Sequence, residues 1–579
     1  AANTAKTEAE DALTAQNLAI TNAGFIDAAD LIAQHAALIA PINFALTTNI
    51  DIVAMTAGSD TITGTNLTLT TGDVIADSSA ADTDTLTLTG AAFATVMDTT
   101  GTTISGVENI VVNFDALTQA TFNMLGVADA PNVTVSNVRA GSTALVVVSN
   151  TRDGAVINTD TINGGLTVTT NNAVATVADS VTVNSAGSTG TTTVTTSGTG
   201  TLTVNSGTDA VTATSVNAAI DINAAGAATG TVQATSTGTT ATSIVTVDAD
   251  LATGTVSGTS VIGNVTVNAD AAATVSALTT GASGVVVADA AAATAITATG
   301  SNVTVNSANV GTVAIPTVIT VNGTATAGQT DTATVTANGI VTLTNNANLE
   351  SVSLSGNTAA VTYNVGTADT LAVTGAQNVT LSGTEAIMSA STVTETATGT
   401  VTVNVTDAGT GADYSLVTAD TINHAVAVGV GTYTYSDGES VTLAANPAAI
   451  TLDIDDDAAG TTTVGSLNLT LGANSTGVMT VNNAADEIDT LNVTASVAQT
   501  ALDFRADNTA TTGDTINLNG SVAIVVAATN TALSLNGSNM TGALTAIAGA
   551  NSKSVQGGSA GDTLSLLTAT ASTSVDGNA

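Results

Sequence analysis

Carboxylates are the only side chains in this 579-residue chain abundant enough to organise chemistry. It carries 46 Asp and Glu against five Lys and Arg, two His and no Cys, a formal net charge of −41. The bases Lys6, Arg139, Arg152, Arg505 and Lys553 cannot pair so many acids, so the remainder must be hydrated, spread apart or bridged by cations. Hard oxygen ligands without His or Cys support point to Ca2+ rather than to zinc or copper. Three acidic clusters stand out. The first is Asp60, Asp73, Asp77, Asp82 and Asp84, in turns around Gly58, Gly72 and Gly90. The second is Asp453, Asp455, Asp456 and Asp457, with Asp486, Glu487 and Asp489 next in sequence. The third is the turn Gly557-Gly558-Ser559-Ala560-Gly561-Asp562-Thr563-Leu564, followed by Asp576-Gly577-Asn578. Glycine lets carbonyls turn toward an ion while an Asp one or two residues away supplies the carboxylate. A solvated acidic turn is the plainer alternative for each cluster.

Catalytic material is nearly absent, and the chain reads as a non-enzyme with no catalytic or organic-cofactor residues to nominate. His35 and His424 lie far apart, and without Cys there is no thiol nucleophile and little to build a triad or phosphate clamp. Asp453, Asp455, Asp456 and Asp457 could in principle supply an acid/base pair, as in polysaccharide-cleaving β-helices, but no aromatic platform for sugar stacking accompanies them. Nucleic acid is excluded as a partner because no basic footprint exists. No apolar run approaches the ~20 residues of a membrane span, and zero Cys removes disulfides.

The elements that must position these acids are strands. Thr, Val, Ala, Asn and Gly recur in one phrase: Val181-Thr182-Val183-Asn184, Leu202-Thr203-Val204-Asn205, Val265-Thr266-Val267-Asn268, Val303-Thr304-Val305-Asn306, Ile319-Thr320-Val321-Asn322 and Val401-Thr402-Val403-Asn404. Period-two alternation puts the aliphatic side chains inward and the Thr hydroxyls toward water. Intervals averaging about 20 residues between the Asn positions suit the coil of a triangular or flattened β-solenoid. Aromatics are 2% of the residues, so the interior must be thin and aliphatic. The expected fold is therefore mainly β, an elongated β-solenoid, with an array of β-sandwich domains as the alternative. Asn at the end of each phrase is expected at a corner, where it tolerates positive φ and its amide ladders between coils.

Four regions are expected. Residues 1–47 form a short N-terminal helical segment, a cap or anchor, with Asp27 as N-cap and Pro41 as stop. Residues 48–130 are a first β region with acidic Gly-Asp turns, 131–450 the repetitive solenoid body, and 451–579 a C-terminal β region ending in a turn of the RTX kind.

Four successive segments carry a family resemblance: Thr56-Ala57-Gly58-Ser59-Asp60-Thr61-Ile62-Thr63-Gly64-Thr65, then Gly72-Asp73-Val74-Ile75, then Asp82-Thr83-Asp84-Thr85-Leu86, then Ile104-Ser105-Gly106-Val107-Glu108-Asn109-Ile110. In order and type they resemble the β-domain of RTX-type bacterial S-layer proteins of the Caulobacter-type lattice. The resemblance is best over residues 56–110, and Gly557–Leu564 is similar to a single RTX turn. It implies a structural protein secreted to the bacterial cell surface, where it self-assembles into a calcium-stabilised extracellular lattice. Cell-surface polysaccharide or lipopolysaccharide would be the anchoring partner. Carried onto matching positions, it implies Asp60, Asp73, Asp82, Asp84, Glu108 and Asp562 as Ca2+ ligands or their neighbours. The competing reading is an RTX-like adhesin or a surface-filament subunit.

Overall fold

A computed structural model describes residues 40–577 outside the short segments 80–81, 92, 171–178, 208–209, 225–229, 240–241, 313, 325–329, 346–347, 456–464, 482–487, 507–513, 528–532, 549–553 and 567–573. The expected helical segment falls, for residues 1–39, outside this range. Its last residues include a strand, β1 (Asn43–Ala45), which pairs in register with the strand Thr61–Thr65.

The protein is a parallel β-solenoid of about 21 turns. The described residues divide into two compact units, one up to Val261 and one from Ile262. In the first, the chain continues through β2 (Ile52–Ala54), β3 (Thr61–Thr65), β4 (Val74–Ala76), β5 (Thr85–Thr89), β6 (Val96–Asp98), β7 (Thr103–Ser105) and β8 (Asn109–Phe114). Strands one coil apart pair side by side: Thr61 lies beside Thr85 and Thr85 beside Asn109, an advance of 24 residues per coil. β2, β4 and β7 form a third, narrow sheet, which gives the first coils three sides. Later coils of this unit flatten to two sheets, as in the pairing of Val181–Asn184 with Thr201–Ser206 and of Thr192–Thr196 with Val211–Ser215.

The second unit repeats the scheme, with long strands between Asn302 and Val365. Thr332–Asn345 pairs through its first half with Asn302–Gly311 and through its second with Thr317–Asn322. From Ala412 onward an eight-stranded sheet runs through this unit, each strand one coil after the last. The one described α-helix is a single turn, Glu385–Met388.

The alternation in the sequence accounts for this geometry. In Thr201–Ser206 the pattern is Leu202 and Val204 inward, Thr203 and Asn205 outward. Each inward residue stacks on its equivalent: Val183, Val204, Ile222 and Val247 are in register and fully buried. Burial of such a side chain contributes roughly 1.5–3 kcal/mol, and a parallel stack repeats the gain every coil. Pairing is parallel between all described strands for which a register is defined, so the sandwich alternative, which needs antiparallel sheets, does not hold.

Some of the Asn positions form ladders, whereas Asn322 donates to Thr299. Asn184 donates its side-chain amide to Asn158 Oδ1 (2.7 Å), Asn205 to Asn184 (2.8 Å) and Asn223 to Asn205 (3.0 Å). In the second unit Asn468, Asn492, Asn517 and Asn536 do the same at 2.8–2.9 Å. The expected positive φ is not what places them: among the described non-glycine residues only Phe93 and Asn150 have one. These asparagines are ordinary strand residues whose amides point outward.

Candidate metal centre

Where the strands of the first coils begin, a carboxylate takes over from the sheet. Ile42, Asp60, Asp84 and Glu108 are equivalent positions just before β1, β3, β5 and β8. Ordinary ladder bonds join the coils there: Thr61 N–H donates to Ile42 C=O and Thr85 N–H to Asp60 C=O, both at 2.9 Å. The amides that fall off the ladder are caught by the next coil's side chain. Ile42 N–H donates to Asp60 Oδ1 (2.6 Å), Asp60 N–H to Asp84 Oδ1 (2.8 Å) and Asp84 N–H to Glu108 Oε2 (2.8 Å). Asp60 also accepts the Thr56 amide at Oδ2 (2.6 Å). A second column repeats the device: Asp51 N–H donates to Asp73 Oδ1 (2.8 Å), whose other oxygen takes Thr70 N–H (2.7 Å). A hydrogen bond to an ionised group contributes about 1.5–3 kcal/mol, so these acids brace the first coils.

Asp77, Asp82 and Asp84 are placed differently. One oxygen from each lies within 4.8 Å of the others, and among the described residues no other group of three acids or histidines meets this distance. Asp84 is fully buried. Its Oδ1 serves the Asp60 amide, while Oδ2 has no hydrogen-bond partner. Both oxygens of Asp82 are buried and unpartnered. Asp77, just after β4, accepts Ser79 N–H at Oδ2 (2.8 Å). Burial pushes the Asp84 carboxyl up to about 6, against the pull of the Asp60 amide, and the charges of Asp82, Asp60 and Asp77 add to the rise. Asp77 is raised for the same reasons, burial first, then Asp82 and Glu108.

Gly106 holds the third wall. Its φ is +68°, and a Cβ there would meet the Asp77 carbonyl oxygen at 2.5 Å. Its N–H donates to Asp129 Oδ2 (2.6 Å). The Ile-Ser-Gly segment thus needs glycine for both backbone angle and close approach to Asp77.

Mutually repelling, with the Asp82 and Asp84 oxygens short of donors, the three carboxylates suit a hard divalent cation. Ca2+ takes six to eight oxygens at about 2.3–2.6 Å and tolerates irregular geometry. Asp77, Asp82 and Asp84 would hold it, with carbonyls or water completing the shell.

No protein-family model matches this chain, and no curated protein does. The remaining expected residues are therefore placed by geometry alone. Asp60, Asp73 and Glu108 brace the backbone rather than join the cluster. Asp562 repeats the Asp60 arrangement at the other end of the chain: Leu544 N–H donates to its Oδ1 (2.8 Å) and Gly558 N–H to its Oδ2 (2.7 Å). A Cβ at Gly557 would sit 2.3 Å from that Oδ2, which explains the glycine. Asp453, in the strand Ile450–Ile454, accepts the Thr434 hydroxyl (3.2 Å), and Asp455 N–H donates to Tyr435 C=O (3.0 Å). Asp457, with Asp456, Asp486 and Glu487, lies outside the described residues.

Some acids were not singled out by the sequence. Asp331, almost fully buried, accepts Thr324 N–H (2.5 Å), and its own N–H donates to Glu350 Oε2 (2.5 Å). The available signal is a Thr three to seven residues before an Asp that directly precedes a strand. His424 packs inside the solenoid against the rings of Tyr414, Tyr433 and Tyr435, its Nε2 3.0 Å from the Tyr435 hydroxyl. Among the described residues no helix is long and apolar enough to cross a membrane.

Proposed function

We propose that this chain is a structural subunit of a secreted bacterial surface layer, self-assembling into an extracellular lattice that Ca2+ stabilises. The observation that carries the reading is the Asp77–Asp82–Asp84 cluster: three gathered carboxylates, two of them (Asp82 and Asp84) with buried, donorless oxygens, in a chain with five bases. Such a site repels itself until a cation occupies it. A ligand that binds only the folded state adds stability by mass action, about 2.7 kcal/mol at one hundred times its dissociation constant.

The fold supports the same reading. A parallel stack gives a stiff body with repeated, hydroxyl- and amide-lined faces, useful for building and poor in the concave, aromatic-lined sites that ligand binding favours. The resemblance of residues 56–110 to RTX-type S-layer proteins agrees, because its Gly-Asp turns and Ile-Ser-Gly-Val-Glu segment are the pieces that surround the cluster. With 46 acids per chain, subunits repel one another, and divalent ions convert facing carboxylates from repulsive to attractive. Catalysis has no part in this function.

Electron microscopy of the purified chain with Ca2+, and again after chelation, tests the proposal. Ordered sheets or fibres are expected with Ca2+ and dispersed particles without it. Assemblies that survive prolonged chelation, or single particles under both conditions, would overturn it.

A further inference from the structure

One sheet of the first unit has a run of strands without a charged residue in them, although Arg152 directly follows one of these strands. Seven consecutive strands of one sheet (Ala120–Asn123, Val146–Thr151, Leu166–Thr170, Thr192–Thr196, Val211–Ser215, Val232–Ser236 and Thr255–Ser260) contain neither an acid nor a base. In a chain with 46 acids this is unexpected, and the opposite sheet does not share it: Asp221 and Asp248 lie in its strands. The outward positions of the neutral sheet are in register. Thr169 lies beside Thr195, Thr195 beside Thr214, Thr214 beside Thr235 and Thr235 beside Thr259. One column over, Thr193 and Thr212 are likewise paired. The columns repeat at ~4.8 Å between strands and ~6.7 Å along them, giving a flat lattice of hydroxyls and methyls.

We infer that this neutral face is where a second copy of the chain docks, face to face. The inference rests on the self-assembly proposed above and names the surface used. Charge selects the occupant. Two copies of a strongly acidic chain repel wherever carboxylates oppose, and only a neutral face lets their backbones come close. With sheets ~10 Å apart, the acids on the two far sheets end up on the order of 30 Å from each other, against a Debye length of ~8 Å at physiological salt, so their repulsion is screened. Identical Thr columns meeting about a two-fold axis are self-complementary, methyl against methyl and hydroxyl against hydroxyl.

Area sets the strength. Seven strands at ~4.8 Å and about five residues of width give a patch of about 550 Å², short of the ~800 Å² per partner of a stable complex. The contact is therefore weak alone and gains its force when repeated through an assembly.

The test uses the full chain in Ca2+ and compares wild type with Thr195→Glu/Thr214→Glu. Thr203→Glu, outward on the opposite sheet, is the control. Circular dichroism and thermal melts check that each folds. Sedimentation velocity across a concentration series should show self-association in the wild type, weakened at least about tenfold in the double variant by like charges placed opposite one another, and unchanged in the control. Equal association in wild type and double variant, equal loss in the control, or a wild type that stays monomeric would each overturn the inference. So would an unchanged association accompanied by lost pull-down on a neutral polysaccharide, because the face would then serve a glycan. The calcium reading is separable. If chelation disperses the wild type but the double variant still assembles, that reading stands and this inference falls; assemblies that ignore chelation yet vanish in the double variant give the reverse.

Discussion

At the scale of single residues, acids of one type do two jobs, and the register of the coils decides which. Asp60 and Asp84 are 24 residues apart and lie one above the other, so Asp84 has one oxygen on the Asp60 amide and the other without a donor, in a residue clustered with Asp77 and Asp82. The Gly-Asp turns were legible in the sequence as carboxylate sites. Their division into braces and cluster was not, because it depends on the advance per coil, which spacing alone did not supply. Replacing Asp60 with Ala removes the acceptor of the Ile42 and Thr56 amides. That should lower stability by about 2–4 kcal/mol in denaturant melts while leaving Ca2+ affinity nearly intact. Gly106→Ala is expected to do both kinds of damage. It imposes a side chain at φ +68° and pushes on Asp77, so stability should fall by more than 1 kcal/mol and Ca2+ should bind more weakly.

At the scale of strands and coils, alternation and the repeat interval pointed to a β-solenoid, and the parallel pairing removes the sandwich alternative they left open. Val-Thr-Val-Asn sets which side is inside, and the Asn at its end predicted an amide ladder that the structure contains, although in extended backbone rather than at a left-handed corner. Asn492 stands between Asn468 and Asn517. Changing it to Ala leaves both neighbours short of a partner and should cost about 1 kcal/mol, and Ala at Asn536, which donates to Asn517 and accepts Ser538 N–H, should cost a similar amount.

The coils around Glu385–Ile454 should also respond to pH, in two opposed ways. Burial among tyrosine rings pushes the His424 imidazole down to about 4, so it is neutral in the fold. The unfolded chain takes up its proton near pH 6.5, and stability is lost as pH falls from there toward 4. Burial, with help from the charges of Glu395 and Asp420, pushes Glu439 up to about 7. A raised carboxyl acts the other way: the unfolded state ionises from pH 4.5 while the folded one resists, so stability is lost as pH rises toward 7. His424→Gln should flatten the acid side of the stability profile and Glu439→Gln the neutral side. A profile left unchanged by both variants would contradict these assignments.

At the scale of the whole molecule, charge is the governing quantity. A formal charge of −41 sets copies of the chain against one another, and in the proposed assembly the clustered acids of the first coils are where a cation would have much to neutralise. Mg2+ should substitute poorly, because it dehydrates reluctantly and demands a tighter octahedron than three irregularly placed carboxylates offer. Composition announced the excess of acid and the thin aliphatic interior. It was silent on the run of uncharged strands in the first unit, which emerges only when strands one coil apart are laid side by side.

The most direct test of the account is a calorimetric titration of the full, chelator-stripped chain with Ca2+, run beside Asp82→Asn. Asp82 makes no hydrogen bond in the fold, so the variant should fold unchanged. A saturable binding phase is expected in the wild type and should be weakened at least about tenfold in the variant, since a carboxylate in the coordination shell is lost. Superimposable isotherms for the two proteins would contradict it.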